Sequence, residues 1–246
     1  MLCYEQVKDY APLLRCLTSL DQAEFEALLP AFGLAWQAHL AQVEQKRSQP
    51  RRRKPGGGRK AELSRLEDKL LFILVYFKLY PLQSVLGWMF GLSQGQANIW
   101  VHTLAPVLQT ALGAEQALPA RDPARLEQIL ADCDSLEFML DGTERRRQRP
   151  KQAELQRDYY SGKKKAHTLK NNLIVNADSQ QVVYLSQTVP GKTHDKKICD
   201  QEAYTFPANA ILDKDTGFQG YEPHGVITFQ PKKSPADKSY PGRPNF

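Results

Sequence analysis

The stretch FMLDGTERRRQRP, residues Phe138 to Pro150, carries an apolar run into one acid, Asp141, then into Gly142, Thr143, Glu144 and a burst of arginines. LEFML, Leu136 to Leu140, is short and apolar and reads as a strand. It delivers Asp141 to a strand end, and the chain then surrounds that carboxylate with positive charge. A second segment repeats the device. ANAILDKD, Ala208 to Asp215, reads as a strand ending on Asp215, with Thr216 and Gly217 behind it. Carboxylates at the ends of neighbouring strands can converge outside the sheet edge. Hard oxygen donors at such a point suit Mg2+ or Mn2+. Two such ions about 4 Å apart can activate a nucleophile and stabilise a leaving oxygen in phosphoryl transfer. Asp before Gly is also a common turn device, so either acid taken alone fits a plain structural role. Asp213 shares a strand face with Asp215, and spacing leaves the choice of second acid open.

Working outward, NNLIVNA (Asn171 to Ala177) and QVVYLSQT (Gln181 to Thr188) read as strands joined in a hairpin at Asp178 and Ser179. THDKKICDQEAY, Thr193 to Tyr204, reads as a helix capped by Thr193, and VITF, Val226 to Phe229, as a further strand. Strand, long basic connection, paired strands, helix, strand and strand make a mixed α/β arrangement over residues 130–246 rather than a regular βαβ repeat.

The first half differs. Residues 1–45 show helical spacing, with Leu13, Leu14, Leu17 and Leu20 on one stripe. Residues 46–60, KRSQPRRRKPGGGRK, lose every apolar period and read as a basic linker or arm. Its Arg51, Arg52, Arg53 and Lys54 suit non-specific phosphate contact, and a solubilising spacer fits the same composition. Residues 61–115 hold three helical patterns. Ser64 and Glu67 fit a capping box before Leu66, Leu70, Leu74 and Phe77. Leu82, Val85, Leu86, Met89 and Phe90 mark a short helix, Gly91 and Leu92 a turn, and Ser93 with Gln96 a second capping box before Ala97, Trp100, Val101, Leu104 and Leu108. A short helix, a glycine turn and a longer capped helix have the layout of a helix-turn-helix, and a plain three-helix bundle has it too. In the former, Gln94, Gln96 and Asn98 face the major groove, where amides can read adenine.

The 246 residues carry 33 Lys and Arg against 27 Asp and Glu, a formal charge of +6 that is clustered rather than spread, which suits a phosphate-bearing partner. Four cysteines with no C-x-x-C pair argue against a zinc ribbon or a disulfide framework. The opening MLCYEQVKDY lacks a signal peptide's pattern, and the longest apolar run, LLFILVYF, is too short to span a bilayer. A cytoplasmic protein with no membrane partner is expected.

Taken together, DGTERRRQRP, QRDYYSGKKKAHTLKNNLIV, VPGKTHDKKICD and ILDKDTGFQGY, in that order, resemble the DDE transposases of bacterial insertion sequences, more narrowly the group related to eukaryotic Harbinger transposases. The resemblance covers about Gly56 to Lys233. It implies a helix-turn-helix followed by a ribonuclease H-like catalytic domain. It implies Mg2+- or Mn2+-dependent cleavage and joining of double-stranded DNA at element ends and target, by a nucleoid-associated homo-oligomer. Asp141 matches the first catalytic, metal-holding acid and Asp215 the second. Arg145, Arg149, Lys163, Lys164, Lys165, His167 and Lys170 match a basic connection that grips DNA, and His194 with Asp195 a pair that supports the site.

The resemblance also implies a third acid, a Glu on a helix well downstream of the second Asp. The sequence offers only Glu222 beyond Asp215, and KKSPADKSYPGRPNF shows no helical stripe. The expectation is a C-terminally incomplete catalytic domain, from a split reading frame, a decayed copy, or a separate chain supplying the rest. Two functions follow: a transposase weakly active or inactive as this chain, or a DNA-binding fragment that represses transposition or is an inactive remnant.

Overall fold

The structure is a computed structural model that describes residues 1–47 and 62–231. The basic arm with Arg51, Arg52, Arg53 and Lys54 and the polar stretch after Pro231 lie outside the described residues. The chain divides into two compact units, Met1–Leu118 and Pro119–Phe246.

The first unit is helical: α1 (Tyr4–Val7), α2 (Ala11–Thr18), α3 (Gln22–Gln45), α4 (Leu66–Leu79), α5 (Gln83–Phe90) and α6 (Gln94–Ala114). Helix α4 is apolar nearly all round, and Leu70, Leu71, Phe72, Ile73 and Val75 are all buried, as expected of a central helix. Phe72 meets Phe90 edge-on, ring centroids 5.1 Å apart. The expected Ser64–Glu67 capping box does not form. Arg65 is the N-cap, and its side chain makes no capping bond. The buried Lys69 ammonium takes the Ser64 carbonyl instead, at 2.9 Å, and lies over the rings of Trp36 and Trp100.

The turn from α5 to α6 requires glycine twice. Gly91 has φ of 68°, and a Cβ on Gly87 would stand 2.6 Å from the Leu92 carbonyl. The Ser93–Gln96 capping box forms, with Ser93 Oγ accepting from the Gln96 amide and Gln96 Oε1 accepting from the Ser93 amide. Two residues assigned to the α5 apolar stripe point outward. Leu82 and Val85 are exposed, in line with Trp88 at 82% exposure, because α5 buries only Leu86, Gly87 and Phe90.

The second unit holds α7 (Leu126–Ala131), β1 (Glu137–Arg146), α8 (Ala153–Tyr159), β2 (Tyr160–Ser161), β3 (Ala166–Asn176), β4 (Val182–Leu185), β5 (Val189–Pro190), α9 (Asp195–Glu202), β6 (Ile211–Lys214) and β7 (Ile227–Phe229). One mixed sheet runs in the order β2-β3-β1-β6-β7, with β4 and β5 also on β3. Strand β3 is antiparallel to β1 and β4, whereas β1, β6 and β7 are parallel. The β3–β4 hairpin turns where expected, with Asn176 Oδ1 accepting from the Ser179 amide at 3.0 Å. Phe138, Leu140, Ile174, Tyr184, Leu212 and Phe218 form the core on one face, with Leu126 and Leu130 of α7. On the other face Met139, Ile227 and Phe229 are exposed among the described residues.

Two expectations are corrected here. Asp141 does not end β1: pairing with β3 continues from Asp141↔Leu173 to Arg146↔Thr168, so DGTERR is itself strand. The cap of α9 is His194 rather than Thr193, and no side chain bonds there. The long basic connection holds α8 and β2.

Candidate functional site

Strand pairing brings the two acids together. Strands β1 and β6 run parallel, and their ladder ends at Leu140↔Lys214. Asp141 and Asp215 are the next residue on each strand, so they leave the ladder side by side, on strands about 4.8 Å apart. Their backbones then diverge. Asp141 stays paired to β3, while Asp215 caps a short 3-10 turn, Thr216–Phe218. Each carboxylate is held by the glycine amide behind it. The Gly142 N–H donates to Asp141 Oδ1 and the Gly217 N–H to Asp215 Oδ1, both at 2.7 Å. Both acids are exposed. With Asp213 they line one open depression, so position alone does not set Asp213 aside.

Buried Lys214, between the two β6 acids, fixes the strand end. Its side chain is fully buried, and it donates to the Tyr221 carbonyl and to Glu222 Oε1. Glu222 accepts also from Thr228 Oγ1 at 2.6 Å. These hydrogen bonds, Lys214 first, lower its pKa below the ordinary 4.5. Glu222 is thus engaged in bracing β6 and β7.

Asp195, the first residue of α9, reaches between strand β1 at Gly142 and the turn at Gly217. A Cβ on Gly142 would stand 3.0 Å from Asp195 Oδ1, and a Cβ on Gly217 would stand 3.0 Å from Asp195 Oδ2. Lys170 Nζ is 3.1 Å from Asp195 Oδ1, but it donates to the Thr193 carbonyl at 2.9 Å, and the buried Oδ1 accepts no hydrogen bond. The contact is therefore a charge pair rather than an aligned bond. Asn172, opposite Gly142 across the ladder, anchors this end of α9 by donating to the Asp195 carbonyl at 3.0 Å.

Asp141, Lys163, Lys164, Lys170 and Asp195 line a pocket of about 260 Å³. Lys163, Lys164 and Lys165 are exposed. Lys170 is not: its side chain is 13% exposed and spent on Asp195 and Thr193. Arg145 donates to Asn171 Oδ1 at 2.6 Å, and Arg149 forks onto Gln156 Oε1. Arg149, Arg157, Tyr160 and His167 line a separate depression. His194 is exposed. Cys199 is buried, which pushes its thiol up to about 12, so it is no nucleophile at neutral pH.

A divalent ion is compatible with these donors. Asp141 and Asp215 offer hard oxygens open to solvent, and Mg2+ is commonly held by one or two carboxylates together with water and phosphate. Among the described residues no group of three acid, His or Cys side chains is close enough to cage an ion by itself.

In the helical unit the α6 amides are less free than spacing suggests. Gln96 Oε1 serves the cap, and Asn98 Nδ2 donates to Gln83 Oε1 at 3.1 Å. Gln94 is exposed, as are Ile99 and His102 one and two turns further on, which pattern reading passed over. Ile99 lies five and His102 eight residues after Gln94.

A capped helix pair in one unit and a mixed sheet with paired acids in the other suit a DNA-directed, metal-dependent class of protein, and sequence comparison points the same way. Residues 62–114 match the helix-turn-helix of DDE superfamily endonuclease, and residues 140–245 match the DDE superfamily endonuclease family itself. Over these residues the chain is similar to the DDE superfamily endonucleases, and the sheet order accords with a ribonuclease H-like domain. It is 25% identical over 193 residues to the "Probable transposase for insertion sequence element IS702" of Microchaete diplosiphon, a match covering 78% of this chain and 66% of that protein. No solved structure matches significantly. Among the described residues no helix is long and apolar enough to cross a membrane.

Proposed function

We propose that this chain is a transposase that binds the ends of an insertion element through α5 and α6 and acts on the DNA strand at Asp141 and Asp215. The observation that carries the reading is the β1–β6 register, whose last pair, Leu140↔Lys214, leaves the two acids adjacent. Mg2+ or Mn2+ held between them would activate the attacking hydroxyl and stabilise the leaving oxygen. The protein's own part is to bind and orient. Lys163 and Lys164, exposed beside Asp141, and the exposed Lys165 that follows them hold phosphates that the carboxylates alone would repel. Arg145 and Arg149 stiffen the strand and the connection that carry this charge, and His167 adds to the depression beside them. Gln94, with Gln96 and Asn98 in the first turns of α6, meets the major groove, and target DNA and a second copy of the chain complete the assembly.

A second reading keeps the DNA binding and drops the cleavage. It is favoured by Glu222 being tied to Lys214 and Thr228 rather than turned to Asp141 and Asp215. Such a chain occupies element ends and represses. The test is one experiment with two readouts, using duplexes from the termini of the element that encodes the chain. Mobility shift measures end binding, and nicking in Mg2+ or Mn2+ measures cleavage. Asp141→Asn and Asp215→Asn should each remove cleavage and leave end binding intact. End binding with no nicking by the parent chain selects the second reading. Loss of end binding in both variants overturns the assignment of the acids to catalysis.

A further inference from the structure

We propose that Asp195 is a positioning residue, a wedge that sets the spacing between strand β1 at Asp141 and the turn after Asp215 and restrains the Lys170 ammonium beside Asp141. The inference rests on the reading of Asp141 and Asp215 as the acids that hold the ion.

Three observations carry it. First, each Asp195 carboxylate oxygen is seated on a different glycine. Oδ1 lies 3.0 Å from where a Gly142 Cβ would be, and Oδ2 lies 3.0 Å from where a Gly217 Cβ would be. Those glycines directly follow Asp141 and stand two residues after Asp215, and their amides hold the two acids at 2.7 Å. Any shift of Asp195 is therefore passed to Asp141 through one backbone step and to Asp215 through two. Second, an acid that served only its own helix end would accept a backbone N–H there. Asp195 Oδ1 is buried and accepts none. Third, Lys170 lines the same pocket as Asp141 and is nearly buried, so its charge needs a partner at hand. Asp195 is that partner, at 3.1 Å. Without it, the ammonium is left to the two other acids of that pocket, Asp141 and the cross-strand neighbour of Lys170, Glu144, and drawn toward Asp141 it would compete with a divalent ion. Asn172, bonded to the Asp195 carbonyl from the strand opposite Gly142, fixes the wedge to the sheet.

The test uses the full 246-residue chain. Mn2+ affinity is measured by electron paramagnetic resonance for the parent chain, D141N, D195N, G217A and K170M/D195N. Glycine amide resonances of 15N-glycine-labelled parent and D195N protein are compared without metal. D141N, the control, lowers Mn2+ affinity. D195N is isosteric, and it weakens Mn2+ binding roughly tenfold, as loss of a partner orienting a metal ligand does. G217A, whose added methyl meets Asp215 Oδ1 at 2.9 Å as well as Asp195 Oδ2 at 3.0 Å, weakens it in the same direction by crowding the acid and the wedge together. K170M/D195N recovers most of the loss, which a merely structural role for Asp195 would not produce. In the metal-free spectra of D195N the Gly142 and Gly217 resonances move together. Parent-like Mn2+ affinity in D195N with both glycine resonances unmoved overturns the wedge. No recovery in K170M/D195N overturns the restraint on Lys170. If D141N binds Mn2+ as the parent does, the two-acid reading fails by itself, and the glycine resonances still decide the wedge.

Discussion

In the helical unit, α4 buries Leu70 to Ile73 on every side. In the sheet unit, β1 buries Phe138 and Leu140 on one face and leaves Met139 exposed on the other, where Ile227 and Phe229 continue the apolar surface. The helical unit satisfies its chain locally, by caps, glycine turns and neighbouring stripes. The sheet unit is arranged around long-range pairing, and its polar groups are drawn inward: Asn171, Asn172 and Asn176, all on β3, are buried and bonded to distant partners. A reading surface for DNA needs only a rigid, self-sufficient helix pair. A phosphoryl-transfer site needs acids, lysines and glycines from separate segments in one place, and only a sheet with fixed register supplies that.

The largest effects that would break this comparison are core truncations. Phe72→Ala in the helical unit and Phe138→Ala in the sheet unit should each cost about 3–5 kcal/mol in denaturant unfolding. Phe229→Ala, on the exposed face, should stay within about 0.5 kcal/mol. A Phe229 variant as damaged as the Phe138 variant would mean that the second sheet face is packed after all. Next comes Gly191→Ala, whose added methyl would run into Thr168 Oγ1. Thr168 donates to Glu144 Oε1 at 2.6 Å. The variant should lose about 1–3 kcal/mol, with the thermal transition of the sheet unit reporting it. Ser93→Ala should cost about 1 kcal/mol by removing one half of the capping box at α6. Helical circular dichroism on heating should fall earlier, with nicking of DNA by any active form affected only through end binding.

The smallest effect is a pH dependence. Burial tends to raise the pKa of Glu144, but hydrogen bonds from Ser161 and Thr168 and the charges of Lys170 and Lys164 outweigh it, leaving the value below the ordinary 4.5. Such a group stabilises the fold above the unfolded value. That contribution is lost as pH falls through the lowered folded value. Melting temperature recorded downward from neutral pH should therefore drop in the acid range, and Glu144→Gln should flatten part of that drop. An unchanged acid limb in the variant would show that the Thr168–Glu144 bond carries no pH-linked stability.

What could be read in advance divides along the same line. The helix pair, its glycine turn and the Ser93–Gln96 cap depend on residues within four positions of one another, and they were legible. So was the hairpin at Asp178, because Asn176 closes its turn locally. Ser64 was misjudged as a cap because Lys69, five residues on and held between Trp36 and Trp100, takes its carbonyl. Leu82 and Val85 have apolar spacing but no neighbour to cover them. Lys170 read as one more basic residue of the connection, since nothing in its own segment announces Asp195.

The sequence by itself determined the identities that chemistry requires: Asp141 and Asp215 at the mouths of apolar runs, glycines behind them, lysines nearby, and a capped helix after a glycine turn. Composition, period and local turn chemistry decide those, because they act over a few residues. Only the tertiary structure decided that β1 continues past Asp141 to Arg146, that the last β1–β6 pair sets Asp141 beside Asp215, and that Asp195 lies between Gly142 and Gly217. Register and the packing of α9 against the sheet are properties of segments many residues apart, and no spacing along a single strand encodes them.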